Sequence, residues 1–145
     1  MSDLIFRKAK KSDFKDILIL LKQLWPDKKL ENKQLRDVFI KRLKNKKVEL
    51  FILKKENNII GFGSLIYHND FMHGKTGFIG EIIIEEKQRN KGYGSKLLKN
   101  LIKKAKEKDC KYIDLDSAIY RRNAHRFYKK HGFEKDAYHF IKKIK

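Results

Sequence analysis

The chain predicts an α/β (α+β) fold: a mixed, mainly antiparallel sheet flanked by about four helices. Three observations carry that expectation. Short apolar runs of strand length alternate with amphipathic stretches of helical period along the whole chain. A strand, a glycine turn and an amphipathic helix follow one another without a break between Gly77 and Ala105. At 145 residues and 41% hydrophobic content, the chain is long enough and apolar enough to bury one core. No linker, internal repeat or low-complexity segment divides it, so residues 1–145 read as one domain.

Leu4 to Ala9 reads as the first strand. Ser12 is placed to cap the helix that follows, with Asp13 and Asp16 at its positive end. Phe14, Ile17, Leu18, Leu21 and Leu24 form its apolar stripe, and Pro26, the single proline, ends it near Trp25. Trp25 reads as a core or hinge aromatic. A second helix is expected from Asn32 to Asn45, with Leu35, Val38, Phe39 and Leu43 inward. Val48–Lys55 and Ile59–His68 are strands joined by a tight hairpin at Asn57-Asn58, since asparagine tolerates positive φ. Gly61 and Gly63 mark a bulge or a close backbone approach. The loop Asn69–Thr76 holds Asp70, Phe71, Met72, His73 and Gly74. It either contacts substrate or simply turns the chain.

The central strand is Phe78–Ile84, apolar but for Glu81. After the turn, Tyr93, Leu97, Leu98, Leu101, Ile102 and Ala105 recur at helical spacing. Lys111–Ser117 is a fifth strand, and a short helix from Arg121 to Lys130 is ended by Gly132. Phe133–Ala137 and Tyr138–Ile144 are expected as two closing strands.

The turn Arg89-Asn90-Lys91-Gly92-Tyr93-Gly94-Ser95 carries the chemistry. The first helical turn has backbone N–H groups without partners, and the positive end of the dipole lies there. Gly92 and Gly94 carry no Cβ, so an anion can reach the backbone, and Arg89 and Lys91 add cationic donors. A Walker loop is excluded because Gly94-Ser95-Lys96 has the wrong order and the upstream glycine is missing. A dinucleotide fingerprint fails at Leu97, which stands where a third glycine is needed, although Asp114 lies at a ribose-acid spacing.

The formal net charge is +19, mostly from lysines spread along the chain, which reads as a solvated basic surface. No arginine-rich tract or nucleic-acid module is recognisable, so nucleic acid is not the expected partner. Cys110 is the single cysteine and excludes an intrachain disulfide. No signal peptide or membrane-length apolar run is visible, so a cytoplasmic protein is expected, with no membrane partner. The five histidines show no paired metal-ligand spacing, so no metal is expected. A homodimer is compatible with the sheet edges but nothing in the sequence demands one.

Two blocks together resemble the GNAT superfamily of N-acetyltransferases. Arg89, Gly92 and Gly94 after a strand are similar to that family's R-x-x-G-x-G pyrophosphate loop. Ala124-His125-Arg126-Phe127-Tyr128-Lys129-Lys130-His131-Gly132-Phe133 looks like its A-x-x-F-Y-x-x-x-G-F block. The resemblance implies a GNAT-like acyl-CoA N-acyltransferase fold. It also implies direct transfer from acetyl-CoA, as cosubstrate, to a primary amine on a small molecule or a protein. It implies a coenzyme A pyrophosphate on the amides of Asn90 to Ser95, with Arg89 entering the turn. The pantetheine arm would lie along the backbone of Ile82, Ile83 and Ile84. Many members carry Asn three residues before the alanine of the second block; this chain has Arg121, whose contact with coenzyme A would differ in geometry.

Acetyl transfer then sets chemical demands. A base must take a proton from the ammonium ion, a donor must meet the developing oxyanion, and an acid helps the thiolate leave. Tyr128 matches the family tyrosine as the acid. Glu81, read as sharing a face with Ile79 and Ile83, is the candidate base, working through water. A carboxylate on so apolar a strand is partly desolvated and a better proton acceptor. The N–H of Ile84 or a close neighbour is the candidate oxyanion donor. Asp114 and Asp116, on one face of the fifth strand, either hold a cationic substrate or pair with lysines. The competing function is a non-catalytic binding module that uses the basic surface, for nucleic acid.

Overall fold

The computed structural model describes residues 4–145. Five strands form one sheet in the order β1 (Leu4–Lys8), β2 (Val48–Lys55), β3 (Asn58–Asp70), β4 (Gly74–Ile84), β5 (Tyr112–Leu115). The first three pairings are antiparallel and β4–β5 is parallel, so the sheet is mixed and mainly antiparallel as expected. Helices α1 (Phe14–Leu24) and α2 (Asn32–Lys44) cover one face. Helix α3 (Tyr93–Glu107) covers the other, and α4 (Arg122–Lys130) follows β5.

Each face has its own apolar cluster. Phe14, Ile17, Leu20 and Phe39 of the first two helices meet Ile52, Phe62 and Ile83 of the sheet. Leu97, Leu98 and Leu101 of α3 are fully buried against Phe51, Leu65 and Ile84. Burying each of those leucines contributes roughly 1.5–3 kcal/mol. Helix α3 lies so close to the sheet that a Cβ on Gly63 would sit 2.9 Å from Leu101 Cδ1. Only glycine permits that approach, which answers for the close contact read from Gly61 and Gly63.

Several local expectations are corrected. Ser12 does not cap α1. It sits inside a short 3-10 turn, Lys11–Asp13, where the buried Asp13 carboxylate accepts the N–H of Lys10 at 2.7 Å. Arg7 holds the same carboxylate with two hydrogen bonds, and a charged, fixed acceptor outcompetes a hydroxyl. The β2–β3 turn is centred on Glu56-Asn57, with Asn58 already opposite Lys55. Glu56, not an asparagine, takes the positive φ, at 55°.

The closing strands are the largest correction. Phe133–Ala137 and Tyr138–Ile144 carry no strand pairing. Phe133 packs against the α3-side cluster, but Tyr138, Phe140, Ile141 and Ile144 are 83 to 91% exposed. A strand forms only against a ladder neighbour, and β5 has just four residues and, among the described residues, a single neighbour, β4.

Candidate active site

The site begins where two strands part. The parallel pairing of β4 with β5 runs from Thr76↔Tyr112 to Ile79↔Leu115 and ends there. β4 continues to Ile84 with β3 on one side only. At the parting point β4 holds an extra residue: Gly80 and Glu81 together lie opposite Ser64, between the pairs Leu65↔Ile79 and Gly63↔Ile82. Such a bulge bends its strand and shifts the phase of the side chains beyond it. Ile79 therefore joins the α3-side cluster while Ile83 joins the α1–α2 side. Strict alternation would put Glu81 beside both. The bulge corrects this: Glu81 reaches α2, away from Ile79.

Beyond the bulge the backbone alternates again. Glu85 donates its N–H to Ile60 of β3 at 2.7 Å. Alternation turns Ile83 to the same side and leaves the polar groups of Ile82 and Ile84 facing the gap. The carbonyl of Ile84 accepts Nε of Arg89 at 2.9 Å. Arg89 thus stitches the turn to the end of β4 and retains its Nη donors.

Gly92 caps α3 with φ of 86°, and Asn90 has φ of 62°. A Cβ on Gly92 would meet nothing within 4 Å, so its requirement is conformational rather than spatial. Lys96 donates the first helical bond, to Gly92 O, at 3.2 Å. The amides of Tyr93, Gly94 and Ser95 precede it and stay open to an anion. Lys91 is exposed and reaches Gln88 at 3.5 Å. The Ser95 hydroxyl is hydrogen-bonded to His131 Nε2 at 2.9 Å. Burial, with Lys99 and Lys130 nearby, pushes the His131 imidazole below its ordinary value and favours the neutral ring.

Helix α4 ties the site's two ends together. At its start, Arg121 donates to the Leu24 carbonyl at 2.7 Å, closing the last turn of α1. Further along, the Phe127 ring lies against Gly94. Tyr128 packs edge-on to Phe127 and Phe133, with ring centroids 5.4 and 5.8 Å away. Burial pushes its phenol up, against a smaller opposing pull from Arg121. The phenol is therefore held in the proton-bearing form.

Glu81 is held from two sides. Arg42 Nη1 of α2 lies 2.7 Å from its Oε1, and the Ser64 hydroxyl donates to the same oxygen at 2.7 Å. Ser64 also accepts the N–H of Glu81 at 2.9 Å, which uses the amide freed by the bulge. These contacts take the place of the merely apolar surroundings expected for the carboxylate. A cavity of about 380 Å³ opens beside it, walled by Trp25, Phe39, Phe62 and Leu50, with Lys28, Arg42 and Glu81 as its charged lining. Asp114 lies on β5 itself, where burial pushes its carboxyl up. Asp116 lies just past it and meets His139 at 3.3 Å.

Arg42, Ser64 and His131 were missed as site residues. Arg42 had a signal, since it follows Leu35 and Phe39 at helical spacing and puts a charge on the apolar stripe of α2. The other two depend on pairings across 17 and 36 residues, which no local pattern encodes.

The acetyltransferase (GNAT) family model matches residues 14–133. The chain belongs to that family. It is an acetyl-CoA-dependent N-acetyltransferase, and the competing reading as a non-catalytic module is not favoured. It is 27% identical over 141 residues to an aminoalkylphosphonate N-acetyltransferase of Salmonella typhimurium, covering 95% of this chain and 90% of that protein. Its fold matches an aminoglycoside N-acetyltransferase, AAC(6')-Iy, in complex with CoA. The TM-score is 0.87 at 20% identity, over 99% of this chain and 97% of the other. A GNAT family acetyltransferase of Staphylococcus aureus matches with a TM-score of 0.79 at 26% identity, over 99% and 100% of the two chains. No helix among the described residues is long and apolar enough to cross a membrane.

Proposed function

We propose that this GNAT member acetylates the primary amine of a small molecule, with the chemistry located in the gap between β4 and β5. The observation that carries the reading is the parting of those strands at Ile79↔Leu115, directly ahead of the open amides of α3. The amides of Tyr93, Gly94 and Ser95, with Arg89 and Lys91 beside them, hold the pyrophosphate of acetyl-CoA. Asn90 and Gly92 shape that turn. The gap-facing groups of Ile82 and Ile84 pair with the pantetheine arm, and Ile83 holds the strand to β3. The N–H of Ile84 or Ile82 meets the oxyanion as the tetrahedral intermediate forms. Glu81 accepts the amine's proton through water, and Tyr128 returns a proton to the leaving thiolate. Arg121 keeps α4 in place from the end of α1 and lies near the cosubstrate without being its main ligand.

A small acceptor is favoured by the cavity, whose size falls in the range of small-molecule sites. The curated relative's name, which specifies an aminoalkylphosphonate, supports the same choice. We place residues 1–145 in one domain working in the reducing cytoplasm, with sheet edges compatible with a homodimer. The direct test is release of free thiol from acetyl-CoA with a panel of primary amines. Turnover with at least one small amine, saturable in both substrates, is expected. Tight acetyl-CoA binding without thiol release for any amine overturns the catalytic reading.

A further inference from the structure

We infer that Arg42 and Lys28 form a subsite for an anionic group on the acceptor, so that the preferred substrate is a small amine bearing a phosphonate or carboxylate. The inference rests on the amine-acetylation reading above and adds the substrate's second charge.

The charge balance of the cavity is the first observation. Its lining holds two cations, Lys28 and Arg42, against one carboxylate, Glu81. A plain ammonium ion entering this space meets a net positive wall. A zwitterion matches it, with the amine toward Glu81 and the anion toward the cations. Apart from the Gln34 amide the remaining lining is apolar and aromatic, which strengthens both contacts by reducing the water around them.

The Arg42–Glu81 pair is the second observation. At 2.7 Å, Arg42 occupies the carboxylate that has to accept a proton during transfer. The Ser64 hydroxyl sits on the same Oε1, so both contacts crowd the oxygen that has to meet the amine. Catalysis therefore gains if Arg42 has another anion to bind. An acceptor phosphonate or carboxylate supplies it, since the planar guanidinium binds such groups through paired N–H donors. The Arg42 side chain is 27% exposed, so it can move without opening the core. From the cavity wall, Arg42 positions the acceptor and releases the base in one movement. Ser64 keeps its bond to Glu81 throughout, which holds the carboxylate in place.

The experiment compares 3-aminopropylphosphonate, β-alanine and propylamine by thiol release, and measures 3-aminopropylphosphonate binding to the CoA-loaded protein by calorimetry. We expect kcat/KM for the better of the two anionic amines to exceed that for propylamine at least tenfold. The phosphonate and carboxylate arms then decide which anion the subsite prefers. Arg42→Gln should raise KM for the anionic amines at least tenfold and bring all three amines to within about threefold of one another. Arg42→Lys should restore part of the preference, and Lys28→Gln should reduce it by a smaller factor. Acetyl-CoA affinity, measured separately, reports whether each variant is folded. Equal use of neutral and anionic amines by the wild type, or an unchanged preference in Arg42→Gln, overturns the subsite while leaving the acetyltransferase intact. If no amine is turned over, calorimetry still decides: phosphonate binding lost in Arg42→Gln supports the subsite, and no binding to the wild type overturns it.

Discussion

Tyr128 and Glu81 sit in different surroundings, Tyr128 against aromatic rings and Glu81 against Arg42 and Ser64. Tyr128 is partly buried among aromatic rings, and that burial raises its phenol above the ordinary tyrosine value of 10.0. Tyr128→Phe removes only the hydroxyl. Turnover is expected to fall at least tenfold while acetyl-CoA affinity changes little, with stopped-flow kinetics and calorimetry as the two readouts. Undiminished turnover would take the acid role from Tyr128. A second residue-scale prediction concerns stability. Arg7 and the Lys10 amide hold the Asp13 carboxyl below its ordinary value of 3.8. A depressed carboxylate stabilises the fold at neutral pH, and that contribution fades as pH falls below about 4 through the native value. Asp13→Asn should cost about 1–3 kcal/mol in urea unfolding at pH 7, with the gap from wild type narrowing as the carboxylate is protonated in acid. Both catalytic candidates were legible because each sits inside a local motif: a lone acid on an apolar strand, a tyrosine in an aromatic block. Arg42 and Ser64 were not, because what makes them part of the site is the bulge that aims Glu81 at them.

The turn from β4 into α3 was legible almost residue by residue, and Gly92 shows why. Its φ of 86° lies where a side chain is strained, so glycine there announces a backbone requirement visible in sequence. Gly92→Asp combines that strain with a negative charge at the helix start. It should weaken acetyl-CoA binding at least tenfold and lower stability by about 1 kcal/mol. Calorimetry and thermal melting separate the two effects, and unchanged affinity would contradict the placement of the pyrophosphate. The bulge in β4 was illegible for the converse reason. Gly80-Glu81 looks like an ordinary step in an alternating strand, and its extra residue exists only relative to Ser64 on β3. Hydrogen exchange offers a test at this scale. The gap-facing amides of Ile82 and Ile84 should exchange faster than that of Ile83, and acetyl-CoA should slow them selectively. Equal protection of all three before and after addition would argue against an open edge at β4.

At the scale of the whole molecule the unmatched feature is the segment after α4. Its sequence has strand character, which is why Tyr138–Ile144 was expected in the sheet, yet Tyr138, Phe140, Ile141 and Ile144 remain in solvent. Leaving four large apolar side chains exposed costs hydrophobic free energy on the order of several kcal/mol relative to covering them. The edge of β5 is the complementary open edge, since among the described residues β5 pairs with β4 alone. A second copy can satisfy both at once: its closing segment adds to the edge of β5, and the exchange is reciprocal about a two-fold axis. Light scattering at micromolar concentration should therefore report a dimer of the 17.4 kDa chain. The double variant Phe140→Asp, Ile144→Asp should be monomeric. Those changes lower the net charge of +19 and so weaken self-repulsion, which by itself favours association. Loss of the dimer in this variant would thus identify the apolar side chains as its cause. A wild-type monomer whose closing segment is protected from exchange would instead mean that the segment folds back onto its own β5, and the homodimer would be withdrawn.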